Sequence, residues 1–316
     1  MAKSYRTIDY RIRPAKHAER LMMCEAFRRL RFGTVSSYQY VGLGSVYFSD
    51  FTLFHRALGI NTMFSIEEGG GDEQRFIDNL PFSSIKLLWG NTKTELPKID
   101  LSLRTLAWLD YDGRLSGDIL DDIASFATRA SSGSVLAISV QCQPEKYDGE
   151  NPKRAIDYFA DQFGPDCVDP VFDDSSLLGW GTAKVFHSVI CNQITASLAA
   201  RNGVRPADQK IHYEQIFHFH YQDGARMLTV GGVFFDRGQK SIFDHCAFGD
   251  LHFVRSGGEA FPIEIPKLTS AEIKRLEVQM PLLAGTLNHS SMPAKDADQF
   301  VQIYRYFPNF ISVDFS

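Results

Sequence analysis

Between Tyr38 and Gln141 short apolar runs alternate with stretches of helix-forming sequence, and this alternation restricts the fold more than any other feature. "YQYVGL", "TMFSIE", "IKLLWG", "LAWLDYD" and "SVLAISVQ" read as five strands. "VYFSDFTLFHRAL", "GDEQRFIDNL" and "SGDILDDIASFATRA" read as helices between them, and "NTKTELPKID" as a turn. Strands separated by helices make βαβ units, whose right-handed crossovers give a parallel sheet with helices on both faces. After a turn-rich stretch and a long helix near Ala183–Arg201, "IHYEQIFHFHYQDGARMLTVGGVFFD" reads as two strands joined at Asp223-Gly224, a hairpin dipeptide. The expectation is an α/β, doubly wound, mostly parallel seven-stranded sheet whose C-terminal antiparallel hairpin supplies an edge strand.

Three divisions follow. Residues 1–36 form a basic N-terminal arm and helix, 37–260 the sheet domain with an insertion at about 142–181, and 261–316 a small C-terminal appendage. The insertion contains one expected helix, Pro152 to Phe163, and lies over the carboxyl ends of the strands, where open α/β sheets bind ligands. In the appendage, Thr269 or Ser270 with Glu272 reads as a capped helix start. The first thirty-one residues carry Lys3, Arg6, Arg11, Arg13, Lys16, Arg20, Arg28, Arg29 and Arg31 against Asp9, Glu19 and Glu25. From Pro14 they read as an amphipathic helix with Leu21, Met22, Cys24, Phe27 and Leu30 on its apolar stripe. Its arginines are then either solvated or turned toward phosphate or nucleic acid.

With 44% hydrophobic and 22% charged residues in 316, the composition is that of an ordinary folded protein, and a net charge of −5 argues against coating nucleic acid non-specifically. Cys24, Cys142, Cys167, Cys191 and Cys246 show no C-x-x-C or zinc-like spacing. The N-terminal "MAKSYRTIDYRIRP" has no apolar signal core, and no run approaches the roughly 18 apolar residues of a membrane span. A reducing, cytoplasmic setting without membrane attachment is expected.

Chemistry-bearing residues recur at successive strand ends. "YVGLGS" places Gly42 and Gly44 after the first strand, where glycine permits a sharp turn and close backbone approach. "SIEE" ends the second strand with Glu67 and Glu68, suited to accepting ribose hydroxyl hydrogen bonds. "WGNT" puts Asn91 past the third strand, where a plain turn is an equal reading. "LDYDG" puts Asp110 and Asp112 at the end of the fourth, with Leu109 beside them to desolvate a carboxylate.

In this order, with the closing hairpin, the motifs resemble the class I S-adenosylmethionine-dependent methyltransferases over roughly Ser37 to Asp236. The resemblance implies that S-adenosylmethionine is the cofactor. It implies further that Gly42, Gly44 and Ser45 wrap its amino-acid part, Glu67 or Glu68 holds the ribose, and Asn91 meets the adenine edge. Asp110, with Asp112 behind it, would face the methyl acceptor as base or positioning group for an oxygen or nitrogen nucleophile. The chain departs from the family pattern at Tyr40, where an acid is usual, and at Val46 or Tyr47, where a third glycine is usual. "DYDG" is similar to the D-A-D-K motif of metal-dependent O-methyltransferases, but "SVQCQ" stands where their Asp-Asn pair belongs, so no metal is expected. The Asp/Asn-Pro-Pro-Tyr/Phe motif of amino-methylating DNA enzymes is missing as well. The rival expectation is a non-catalytic Rossmann-like module that binds a nucleotide or nucleic acid, the latter through the basic arm.

Other groups carry weaker signals. His212, His218 and His220 in the hairpin read as half-buried imidazoles rather than a metal site, because no ligand set with recognisable spacing completes them. Cys142 lies close to the expected cleft, but no base partner can be named for it. The glycines are not followed by the G-K-[ST] of a P-loop, and the missing third glycine together with the terminal hairpin disfavours a nicotinamide dehydrogenase. Nothing in the sequence identifies the acceptor or the oligomeric state.

Overall fold

The computed structural model describes residues 13–143, 155–164, 167–282 and 286–308. Lys3, Arg6, Asp9, Arg11, the first part of the expected insertion and the end of the C-terminal tail lie outside the described residues.

The chain opens with α1 (Pro14–Arg28), Pro14 in the first turn, where its missing N–H costs nothing. The βαβ alternation then runs β1 (Gln39–Gly42), α2 (Ser49–Leu58), β2 (Thr62–Glu67), α3 (Glu73–Asp78), β3 (Ile85–Trp89), the single turn α4 (Thr92–Glu95), β4 (Thr105–Arg114), α5 (Gly117–Arg129) and β5 (Ser134–Gln141). α6 (Ala155–Phe163) and α7 (Gly181–Asn202) precede the hairpin β6 (Ile211–Asp223) and β7 (Ala225–Asp236). After it come α8 (Lys240–His245), β8 (Phe261–Ile263), α9 (Ser270–Glu277) and α10 (Ala294–Ile303).

All seven expected strands form one sheet, with an eighth added, in the order β3-β2-β1-β4-β5-β7-β6-β8. β1 to β5 pair in parallel, and β7 runs antiparallel between β5 and β6. One expectation is corrected here. The hairpin supplies no edge strand, because β8 from the C-terminal segment pairs in parallel with β6 and takes the edge.

β4 and β5 are almost continuously buried, as strands covered on both faces must be. One face packs Met22, Phe27, Phe51, Phe54 and Trp108 under α1 and α2. The other packs Ile123, Phe126, Phe186 and Ile190 under α5 and α7. Leu276, Leu287, Met292, Ala297 and Phe300 make a small separate cluster near the C-terminus. There Thr269 and Glu272 close the expected capping box at the start of α9.

α2 starts three residues later than the sequence suggests. A short 3-10 turn, Ser45–Tyr47, intervenes, and Phe48 stands in the left-handed region at φ +44°. Strand order reverses between β1 and β4, which places a crevice at their carboxyl ends.

Candidate active site

The crevice is a cleft of about 350 Å³, within the range of small-molecule sites. Its walls come from the segments after β1, β2, β3 and β4 together with α1. Of the eight residues singled out in the sequence, Gly44, Ser45, Glu67, Glu68, Asn91, Asp110 and Asp112 line it.

Gly42 does not line the cleft. The ring of Tyr40 folds over it, and a Cβ there would sit 2.7 Å from the Tyr40 hydroxyl. Glycine at this position thus has a reason in the chain's own packing. Gly44 is constrained from beneath as well as facing the cleft. A Cβ would lie 2.7 Å from both Phe48 and Ser65 and 2.9 Å from Phe51. Ser45 follows in the left-handed region at φ +50°, so the turn is tight without the family's third glycine.

Glu67 fastens this turn. Its Oε1 accepts from the Gly44 N–H at 2.8 Å and from the Ser65 hydroxyl at 2.6 Å. Burial pushes its carboxyl up to about 7, against the pull of those hydrogen bonds. Glu68, one residue on, is exposed and lines the same cleft. Asn91 caps α4, its Oδ1 accepting from the Thr94 N–H at 3.0 Å while the residue also borders the cleft. The Thr92 hydroxyl donates to Asp122, which also accepts from Tyr111 at 2.8 Å.

The fourth strand end is shaped by an irregularity. Asp110 pairs with Ser139 and Arg114 with Gln141, so β4 carries two more residues than its partner across Tyr111–Gly113. Asp110 accepts from the Lys16 ammonium at 2.7 Å. Lys16 is fully buried and also meets Glu19 at 2.8 Å, the Tyr221 hydroxyl at 3.0 Å and the Trp108 ring at 4.2 Å. Glu19 accepts from Thr229, Thr229 is hydrogen-bonded to Ser139, and Ser139 accepts from the Trp108 indole N–H. Beside this network the Tyr40 hydroxyl donates to Asp50, whose carboxyl burial pushes up. Arg20 reaches the cleft from α1.

Sequence reading missed Lys16, Glu19, Arg20, Tyr40, Asp50, Trp108 and Tyr221. The signal lay in α1, where Lys16, Glu19 and Arg20 share a face at i, i+3, i+4 among small and apolar residues. That helix is buried on more than one side, so a solvated reading of all its cations does not hold. Arg28, Arg29 and Arg31 are partly exposed, and they donate to carbonyls of Ala57, Ala247, Arg28 and Leu30.

Cys142 is fully buried away from the cleft lining, and burial pushes its thiol up to about 12, where no thiolate forms at neutral pH. His218 stacks on His187 of α7 at 4.0 Å and meets His220 edge-on at 5.2 Å, with His212 apart from them beside Glu214. Burial holds His218 down at about 3 and His220 at about 4, so both are neutral. Among the described residues no group of three or more His, Cys, Asp or Glu is placed to hold a metal, and no helix is long and apolar enough to cross a membrane.

Comparison with known proteins places this cleft in a family. No curated protein matches the chain. Among solved structures, it is similar to Trm1 from Pyrococcus horikoshii in complex with S-adenosyl-L-methionine, at 9% identity and a TM-score of 0.49 over 76% of this chain and 60% of that one. It thus spans less than two thirds of the Trm1 chain. An rRNA methylase from Streptococcus thermophilus is similar at 10% identity and a TM-score of 0.36, over 71% and 99% of the two chains. The model of a family described as "Putative O-methyltransferase" matches residues 8–315. With that match over nearly the whole length, the chain, whose mostly parallel sheet carries one antiparallel strand, belongs to this "Putative O-methyltransferase" family.

Proposed function

We propose that the cleft binds S-adenosylmethionine along the ends of β1 to β4 and that Asp110 receives the acceptor. The observation that carries this reading is the convergence of seven residues, chosen from four separate strand ends, on one cavity. The residues present fit the group. Leu43, Ile66, Phe76 and Trp108 give apolar wall for a nucleoside, and polar groups stand at each end. Gly44 and Ser45 would follow the amino-acid part, Glu68 the ribose hydroxyls and Asn91 the adenine edge. Glu67, committed to the Gly44 N–H, shapes the turn and reaches the ribose only with its remaining acceptor capacity.

The cofactor supplies an activated methyl group, so the chain has only to position an acceptor and accept its proton. Asp110 lines the cleft, partly exposed, with the Lys16 ammonium fixing one oxygen. Its second oxygen is directed to an acceptor hydroxyl, orients it for in-line attack and takes its proton. Trp108 and Tyr111 line the cleft beside it. The family description supports oxygen as the acceptor atom. The exposed carboxylates of Glu68 and Asp112 at the mouth favour a neutral or cationic small alcohol or phenol over a polyanion.

Transfer of labelled methyl from S-adenosylmethionine to panels of small hydroxyl compounds, amines and RNA tests the reading. Asp110→Asn is expected to slow transfer to the true acceptor by about 10²–10⁴-fold while cofactor affinity changes little. Unchanged transfer by Asp110→Asn would remove Asp110 from this role.

A further inference from the structure

One cation in the cleft has no hydrogen-bond partner among the described residues. Arg20 is 8% exposed and lines the cavity, yet it makes no hydrogen bond and no ion pair within 4.0 Å, and its Nε is sealed from solvent without an acceptor. A buried guanidinium left in this state loses its hydration without compensation, which a structure tolerates where a ligand will supply the acceptor. Asp50 feels the Arg20 charge, which pulls its carboxyl down against burial, but accepts no hydrogen bond from it. Asp50 is engaged by the Tyr40 hydroxyl, and its burial favours the neutral carboxyl.

The charges around the cleft define the ligand. Arg20 is the only lysine or arginine lining the cleft among the described residues, while Asp50, Glu67, Glu68, Asp110 and Asp112 are all carboxyl groups. A phosphate or other polyanion would meet one cation and several acids. A ligand carrying one carboxylate within an otherwise cationic body fits both features. The planar guanidinium fork matches a carboxylate in two parallel hydrogen bonds, which a lysine could not reproduce.

We propose that Arg20 is the receptor for the α-carboxylate of the cofactor's methionine part, a reading that rests on the cleft being the S-adenosylmethionine site. The helix that precedes the sheet domain thereby completes the cofactor site. The Gly44–Ser45 turn supplies backbone to the amino-acid part, and Arg20 supplies the counter-charge. An acceptor's carboxylate is the competing source of the same chemistry.

The test is calorimetry with three probes that need no methyl transfer: S-adenosylhomocysteine, its decarboxylated analogue, and methylthioadenosine, which lacks the amino-acid part altogether. The native protein should bind S-adenosylhomocysteine about 10- to 100-fold more tightly than the decarboxylated analogue. Arg20→Gln should lose that preference, Arg20→Lys should restore part of it, and all three proteins should bind methylthioadenosine alike, which also reports that the variants fold. Equal affinity of the native protein for the first two probes would overturn the proposal while leaving the cofactor site standing. A preference that survives in Arg20→Gln would also overturn it and point to the acceptor's carboxylate. Failure of the native protein to bind any of the probes would instead overturn the cofactor reading beneath it.

Discussion

Glu67 shows how one side chain ties stability to the shape of the cleft. Its carboxyl rises from 4.5 to about 7 on folding because it is buried, so the native state binds its proton more tightly than the unfolded chain does. Stability from this group is therefore fully present below about pH 4.5 and declines as pH rises toward 7, by about 3 kcal/mol in all. Glu67→Gln keeps an acceptor for the Gly44 N–H and removes the titration. The difference in unfolding free energy between native and variant protein, from urea titrations at pH 5, 6, 7 and 8, should change in the variant's favour as pH rises. A difference that stays constant would mean the carboxyl is not held in its protonated form. Gly44→Val acts through sterics instead. The added atoms meet Phe48, Ser65 and Phe51, and the expected cost is about 1–3 kcal/mol together with loss of cofactor binding by calorimetry. Both effects were partly legible in the sequence. The glycine and the acid could be picked out by type and spacing, but their hydrogen bond joins residues 23 positions apart and appears only once β1 and β2 pair.

At the scale of elements, α1 is where sequence reading fell furthest short. Its basic composition suggested a helix with its cations in water or on phosphate, yet Lys16 is fully buried and bridges Glu19 to Asp110 on β4. The helix interior offers no local sign of this, because the partners lie on β4, β6 and β7, far along the chain. Lys16→Met should destabilise the protein by about 3–5 kcal/mol, since it leaves the Glu19 carboxylate buried without a counter-ion. Adding Glu19→Gln should recover much of that loss in urea unfolding, whereas additive losses would show that the two groups do not depend on each other. The hairpin gives a second case. The strands and the Asp223-Gly224 turn could be read directly, but β8 was not visible as a strand, because three residues centred on a proline carry no periodicity. β7 needs its two glycines for contact with both neighbours. A Cβ at Gly232 would lie 2.2 Å from the Glu214 carbonyl oxygen, so Gly232→Ala should weaken the β6–β7 pairing and lower the melting temperature measurably.

For the whole molecule, the strand order decides where function can sit. Reversal between β1 and β4 opens one crevice, and the first turn, two acidic strand ends and α1 all meet there. The alternation of strands and helices made that architecture readable from sequence, since each βαβ unit has one favoured hand. The contribution of α1 to the cleft was not readable, because Arg20 reaches it only through long-range packing. The central claim is that this crevice holds S-adenosylmethionine with its methyl directed at Asp110. A crystal structure of the protein grown with S-adenosylhomocysteine tests it most directly. The account predicts density for the thioether between Gly44 and Asn91, with its ribose at Glu68 and its sulfur toward Asp110. Density in another cavity, or a filled cleft with the sulfur turned away from Asp110, would contradict it.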